Sequence, residues 1–356
     1  MRRLPSLDGV RAGSILLVLL GHELGYGARF AVGDLANLGV RCFFVLSGFL
    51  ITTLLLNEFR ENGRISLRDF YARRTLRIFP AFYVFLLVVF ILMKHAWVAP
   101  ISASSWLHAA TYTMDYMSFH VRAWDLGHLW SLAVEEQFYL LWPTVLVLLR
   151  PRKALWGAFG VILLVPLVRW CTWKYFPGLI DEMKWQFHTV CDALATGCVL
   201  AGVRDALWKR PAYRWLLESG AFVLVPVGIF AVNRAMVGRP RFGNVLGQTM
   251  INVGIALCID YLLRNSKSAA GRVMNLRFVA YLGTLSYSLY LWQQIFLIPD
   301  EPGPLAHGFP IDVALALFAA WVSYNVIEKP FLSLRQRFAA PKPSALRSVP
   351  ATPSAV

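Results

Sequence analysis

Apolar runs of about 17 to 25 residues recur along this chain, separated by basic segments, and they occupy most of its 356 residues. A helix needs a run of that length to cross a hydrocarbon layer ~30 Å thick. Ten candidate spans centre near Leu17, Leu46, Leu86, Leu140, Leu163, Val199, Leu224, Gly254, Tyr290 and Ala316. A soluble domain of this size does not carry 57% hydrophobic residues, 15% charged residues and a mean hydropathy of +0.54. The expected fold is therefore all-α, a polytopic integral membrane protein of about ten transmembrane helices around a polar central cavity.

The basic residues set the orientation. With the N-terminus inside, the inner segments hold 24 of the 35 Lys and Arg and the outer segments 9, while Arg11 and Arg41 lie within spans. That bias predicts cytoplasmic N- and C-termini in the cell (inner) membrane. The net charge of +15 follows from this topology and from attraction to anionic inner-leaflet lipid, so no nucleic-acid partner is needed to explain it. The first run is long, follows Arg2 and Arg3 and lacks a small-residue cleavage site, so it is expected to remain as a span. The five cysteines are scattered without metal-ligand or disulfide spacing and read as packing residues. No internal repeat is visible, which weighs against inverted-repeat transporter folds. One membrane domain is expected over 1–335, with no appended soluble domain and a Pro/Ser/Ala-rich, disordered cytoplasmic tail over 336–356. No dimer seam stands out, and the sequence assigns no oligomeric state.

Against this apolar background, the polar residues inside spans carry the information. Arg11 and His22 lie eleven residues apart, which returns them to within about 20° of one helix face, ~16 Å apart along the axis. An ionisable side chain in hydrocarbon normally faces a bundle interior or a wet cavity. The structural alternatives are a snorkelling Arg11 and a His22 bonded to a neighbouring helix. In the fourth span His128, Ser131, Glu135 and Tyr139 follow 3, 4, 4 spacing and form one stripe, with Glu136 beside it. Two adjacent intramembrane carboxylates require protons, cations or water, and a structural ion pair with Arg11 or Arg41 also meets that need. Arg73, Arg74 and Arg77 stand at the mouth of the third span. Arg74 and Arg77, three apart, form one positive prong suited to phosphate, although a basic inner loop is also what membrane topology requires. Ser47 and Gly48 interrupt the bulky second span, where small residues permit close helix packing. The ninth span adds Ser286, Tyr287, Ser288, Tyr290, Gln293 and Gln294.

Histidine can deprotonate a sugar hydroxyl or carry an acyl group, carboxylates can orient it, and guanidinium groups can hold the phosphates of an acyl-CoA. A proton-coupled transporter also uses buried His and Glu, so spacing alone leaves both open. The blocks LDGVRAGSILLVLLGH, GVRCFFVLSGFLIT, FYARRTLRIFP, HLWSLAVEEQFYLLWP and LGTLSYSLYLW, in that order, resemble the signature blocks of the acyltransferase family 3 membrane proteins, the O-acetyltransferases of bacterial surface polysaccharides. The resemblance runs from about Leu7 to Phe331. It implies that Arg11 and His22 form the family's arginine-ten-histidine motif with His22 catalytic, that Arg74 and Arg77 form its Arg-x-x-Arg motif for acyl-CoA, and that Glu135 and Glu136 are its acidic pair.

The resemblance also implies transfer of an acyl group, usually acetyl, from cytoplasmic acyl-CoA to a hydroxyl of a saccharide or a glycosylated small molecule. Acyl-CoA is then a co-substrate and no cofactor is bound permanently. Some members carry a fused esterase-like domain, and this chain resembles the single-domain members. Two positions depart from the pattern: Arg41 where Asp is common, and Gln293 where His is common. The resulting expectation places His22, Glu135 and Glu136 in catalysis. Arg11, Arg73, Arg74 and Arg77 are expected on the donor, and Ser47, His128, Ser131, Tyr139, Gln293 and Arg41 on the acceptor. The alternatives are a membrane carrier of acyl groups or glycan intermediates that forms no ester, and a non-catalytic scaffold.

Overall fold

The computed structural model describes residues 5–25, 33–297, 305 and 308–334, and every regular element among them is helical. The expected tail over 336–356 lies outside these described residues, as do Arg2 and Arg3. The principal helices are α1 (Pro5–Glu23), α2 (Leu35–Asn62), α3 (Leu67–Lys94), α4 (Leu129–Tyr175), α5 (Phe187–Trp208), α6 (Leu224–Gly238), α7 (Gln248–Arg264), α8 (Arg277–Phe296) and α9 (Ile311–Ser323). A π-helical turn, Tyr324–Glu328, carries α9 on into Lys329–Leu334.

Local chemistry explains the boundaries. Asp34 caps α2 by accepting from the Asn37 N–H at 3.1 Å, and Gly63 ends it in the left-handed conformation, φ 69°. Ser66 caps α3, its hydroxyl accepting from the Asp69 N–H. The 47 residues of α4 would extend ~70 Å if straight, more than twice the hydrocarbon thickness. Arg150 breaks that length with φ 62° and ψ 156°, directly before Pro151, whose ring disfavours α geometry in the preceding residue. The two arms, 129–149 and 151–175, correspond to the fourth and fifth expected spans.

By length and composition, six helical stretches are long and apolar enough to cross a membrane: Leu35–Asn62, Leu67–Lys94, Trp124–Tyr175, Gly220–Gly238, Pro240–Arg264 and Ile311–Leu334. This criterion does not reproduce the expected count of ten, and the reason is visible in the packing. The helices α1, α5 and α8 fall outside the six because they hold polar residues on faces packed against other helices. α5 packs against α2 and α4, and α1 against α2 and α8. Thr189 and Asp192 of α5 and Ser288 and Gln293 of α8 are fully buried. A helix shielded from lipid by its neighbours need not be apolar all round. The periphery shows the opposite pattern, with Leu148, Leu163, Leu224 and Phe318 exposed in the way that lipid contact requires.

Glycines set the closest crossings. A Cβ at Gly197 of α5 would overlap the Val45 carbonyl of α2, and a Cβ at Gly48 would overlap the Leu194 carbonyl in return. The two backbones therefore touch where Ser47 must reach α4. Outside the spans, the Asp115 carboxylate accepts from the Gln137 amide of α4 at 2.9 Å and from the Phe187 N–H that opens α5 at 3.2 Å. Burial pushes that carboxyl up to about 6 against the pull of these two donors, and the loop between α3 and α4 is pinned over the bundle.

Gly197→Val is expected to destabilise the folded protein by ~1–3 kcal/mol, because the α2–α5 crossing must open. Gly160→Ala, where an added Cβ meets nothing within 4 Å, should leave stability unchanged or raise it. Thermal unfolding in detergent micelles compares the two, and equal midpoints would refute the close-packing account.

Candidate active site

One turn of α8 holds most of the first pocket together. His22, at the end of α1, places Nδ1 2.8 Å from Oε1 of Gln293. The His128 Nε2 lies 3.1 Å from the Leu291 carbonyl, and the His128 backbone N–H donates to Oε1 of Gln294 at 2.9 Å. The Trp124 indole donates to the Gln294 carbonyl at 3.0 Å and meets the His22 ring edge-on, with centroids 5.8 Å apart. Residues 291–294 thus fix both histidines and a tryptophan. His22, His128 and Trp124 line a pocket of about 910 Å³, open mouth included, together with Asp34, Arg122, Trp130, Trp185 and Gln294.

The second pocket, about 760 Å³, gathers three guanidinium groups and two carboxylates: Arg11 from α1, Arg74 and Arg77 from α3, and Glu135 and Glu136 from α4. Arg11 is paired with Asp8 at 3.2 Å. Glu135 is firmly held, since Ser47 donates to Oε1 at 2.7 Å and Tyr139 to Oε2 at 3.1 Å. The Arg74 guanidinium lies over the Tyr139 ring, 4.6 Å from its centroid. Glu136 is different, with a buried Oε1 that has no hydrogen-bond partner. An unpaired buried carboxylate oxygen is costly, so it marks a place where a proton or a ligand donor is expected.

Tyr290 and Val40 line both pockets. The Tyr290 hydroxyl lies 2.5 Å from Ser131 Oγ, and both hydroxyls reach the His128 carbonyl, at 3.1 and 3.2 Å. A hydroxyl-bonded partition therefore separates the histidine pocket from the arginine pocket. Arg11 and His22 share a face of α1, as their spacing predicts, yet they serve different pockets on either side of that partition.

The family model described as an acyltransferase domain, that of acyltransferase family 3, matches residues 4–324. The chain belongs to acyltransferase family 3. It is similar to the O-acetyltransferase OatA of Staphylococcus aureus strain NCTC 8325 / PS 47, 28% identical over 358 residues that cover 92% of this chain and 57% of that protein. Two putative O-acetyltransferases of S. aureus, SACOL0978 of strain COL and SAS0844 of strain MSSA476, are 29% identical over 360 residues, 93% of this chain and 58% of theirs. The chain thus spans less than two thirds of the length of these relatives. No solved structure matches it.

Within this family member, the structure brings Arg11, Arg74, Arg77, Ser47, Ser131, Glu135, Glu136 and Tyr139 to one pocket and His22 and His128 to the other. Three expected site residues line neither. Arg73 turns away from the Arg74–Arg77 face and pairs with Glu58 at 3.3 Å, joining the end of α2 to the start of α3. Gln293 stands behind His22, fully buried. Arg41 is buried between α2 and α7, donating to Asn37 at 2.8 Å and Asn252 at 3.4 Å, so it joins these helices and meets the histidine pocket only through Asn37, which lines it.

A neighbouring interior ion pair went unnoticed in the sequence: Arg169 donates to Asp192 at 2.5 Å and to the Thr189 carbonyl at 2.6 Å. Thr249 donates to the other Asp192 oxygen at 2.6 Å. Trp124 was missed although it continues the His128, Ser131, Glu135 stripe by one more turn. Asp34, Arg122 and Trp185 belong to loop or cap positions that carry no period.

Arg169→Met is expected to destabilise the protein by ~3–5 kcal/mol, because Asp192 is left buried and uncompensated. Arg169→Met combined with Asp192→Leu should recover much of that loss, and chemical unfolding in mixed micelles measures both. A double variant less stable than the single one would contradict the pairing.

Proposed function

We propose that this chain is a ten-span O-acyltransferase of the cell (inner) membrane with both termini in the cytoplasm. On this reading the arginine pocket opens to the cytoplasm and takes acyl-CoA, probed as acetyl-CoA, and the histidine pocket takes the acceptor hydroxyl. The two pockets and their partition would form the polar central cavity. The observation that carries the proposal is the convergence of Arg11, Arg74 and Arg77 in one pocket that adjoins, across Tyr290, a second pocket containing His22.

Guanidinium groups bind phosphate through planar forks and stay charged in a low-dielectric site, which suits the donor's phosphates. Tryptophan faces suit the apolar face of a sugar ring, and Trp124, Trp130 and Trp185 supply them in the histidine pocket. A saccharide or glycosylated small molecule is therefore the proposed acceptor. Names of the relatives support acetyl as the group transferred.

In the chemical step the thioester end of the donor passes Tyr290 into the histidine pocket, where His22 removes the proton of the acceptor hydroxyl as its oxygen attacks the thioester carbonyl carbon. The C–S bond breaks, and the thiolate of CoA leaves with a proton returned by the imidazolium. In the two-step form Nε2 of His22 attacks the thioester carbon and expels the CoA thiolate, the acceptor oxygen then attacks the acyl-imidazolium and breaks its C–N bond, and the hydroxyl proton leaves on the thiolate as the CoA thiol. Glu135, already held by Ser47 and Tyr139, keeps Arg74 oriented, while Glu136 offers an unpaired oxygen for proton transfer at the donor end.

In vesicles supplied with labelled acetyl-CoA and extracted native glycans, the wild type should form a base-labile ester that His22→Ala does not form at equal abundance. Arg74→Ala should raise the KM for acetyl-CoA by about tenfold or more, the scale of one lost charge-assisted contact. Arg73→Ala should leave it within twofold. Transport of substrate with no ester formed would favour the carrier reading, and full acylation by His22→Ala would end the catalytic assignment.

A further inference from the structure

His22 is held by an amide, and an amide has consequences that a carboxylate or a second imidazole does not. Gln293 is fully buried, its Oε1 lies 2.8 Å from His22 Nδ1, and its own Nε2 is buried with no hydrogen-bond partner. With Oε1 of Gln293 turned to His22 the contact is made by a proton on Nδ1, because an amide oxygen only accepts. In the neutral ring the lone pair is then on Nε2, at the opposite edge. The neighbouring contacts hold this arrangement rigid: Trp124 packs edge-on against the His22 ring, and its indole is bonded to the carbonyl of Gln294, the next residue on the same turn of α8.

We infer that Gln293 is the positioning residue of His22, fixing its Nδ1–H tautomer so that Nε2 acts on the acceptor, without adding the negative charge that an acidic partner would supply. The inference rests on the acyltransferase reading and extends it to a specific atom. It serves both forms of the chemistry, since the base and the acyl carrier each need Nε2 reactive while Nδ1 keeps its proton. The Gln293 amide can hold a neutral imidazole with no titration of its own.

Among the described residues, the charged and titratable groups beside His22 come from four segments. Glu23 follows it on α1, Asp34 faces it from the start of α2, Arg122 and His128 from the segment that leads into α4, and Tyr290 from α8. Replacing Gln293 changes none of them, so a change in pH dependence reports on the Gln293 contact.

Two measurements test the proposal. Nitrogen NMR on protein labelled at histidine, with His22→Asn to assign the resonance, reads the tautomer directly and needs no acceptor or turnover. The Nδ1–H form is expected in the wild type, and the Nε2–H form would overturn the inference. In the acylation assay, Gln293→Met should lower kcat by about ten- to a hundredfold with the KM for acetyl-CoA within twofold, the scale of losing an orienting group. Gln293→Glu, which keeps an acceptor oxygen, should retain more activity than Gln293→Met. A carboxylate stabilises the imidazolium, so its acid limb should move to higher pH by about one unit or more. Wild-type kcat and pH profile in Gln293→Met would overturn the proposal. Should the wild type form no ester while His22 holds the Nδ1–H tautomer, the catalytic reading fails and the positioning contact stands.

Discussion

Polar groups inside a membrane-spanning bundle have no water to fall back on, and here much of that demand is met by one turn of α8. Leu291, Gln293 and Gln294 bond His128 through its backbone N–H and Nε2, His22 through Nδ1 and Trp124 through its indole, residues contributed by α1 and by the segment entering α4. In an apolar medium an unmade hydrogen bond costs several times what a made one yields in water, so this turn fixes the position of three helical segments at once. Tyr290, within the same turn, closes the partition with Ser131. The site and the fold are consequently hard to separate: a change that loosens α8 loosens both pockets.

The same constraint sorts the helices. Helices facing lipid satisfy a hydropathy criterion because each exposed residue meets hydrocarbon, as Leu148 and Phe318 do. The helices α1, α5 and α8 fail it, because Asp8, Arg11 and His22 of α1, Asp192 of α5 and the serines and glutamines of α8 lie on faces packed against neighbours, whereas α3 and α4 carry site residues and still satisfy it. Close approach makes the shielding possible. Gly283 of α8 sits against the Asp8 carbonyl of α1, and Gly48 and Gly197 bring α2 and α5 backbone to backbone. Small residues at these crossings leave no gap through which lipid could reach the buried charges.

Local periodicity made part of this legible from sequence. The stripe of His128, Ser131, Glu135 and Tyr139 follows from 3.6 residues per turn, and the shared face of Arg11 and His22 follows in the same way. Arg74 and Arg77, three apart, reach one pocket, while Arg73, about 100° around the helix, meets Glu58 instead. What periodicity does not contain is the partner across a helix boundary. The pairing of Gln293 with His22 joins residues 271 positions apart. The placement of Arg41 against Asn252 joins residues 211 apart. Both depend on which helices pack together, and a single sequence does not state that. The division into two pockets was illegible for the same reason, because Tyr290 and Ser131 meet from different helices.

The two departures from the family pattern then have different physical meanings. Arg41 replaces one charge with its opposite, a change that an interior accepts only if the surroundings compensate. They do so through amide oxygens, with Asn37 and Asn252 accepting from the guanidinium while Asp192 is committed to Arg169. Asn37 itself lines the histidine pocket, so Arg41 reaches that surface at one remove. Gln293 replaces a titratable ring with a neutral amide at a contact that touches His22 itself. The first departure alters how the bundle balances charge, and the second alters the partner of the proposed reactive histidine. Charge reversal is the larger chemical change of the two, but it reaches the histidine pocket only through Asn37, whereas the milder substitution bonds the proposed reactive ring itself.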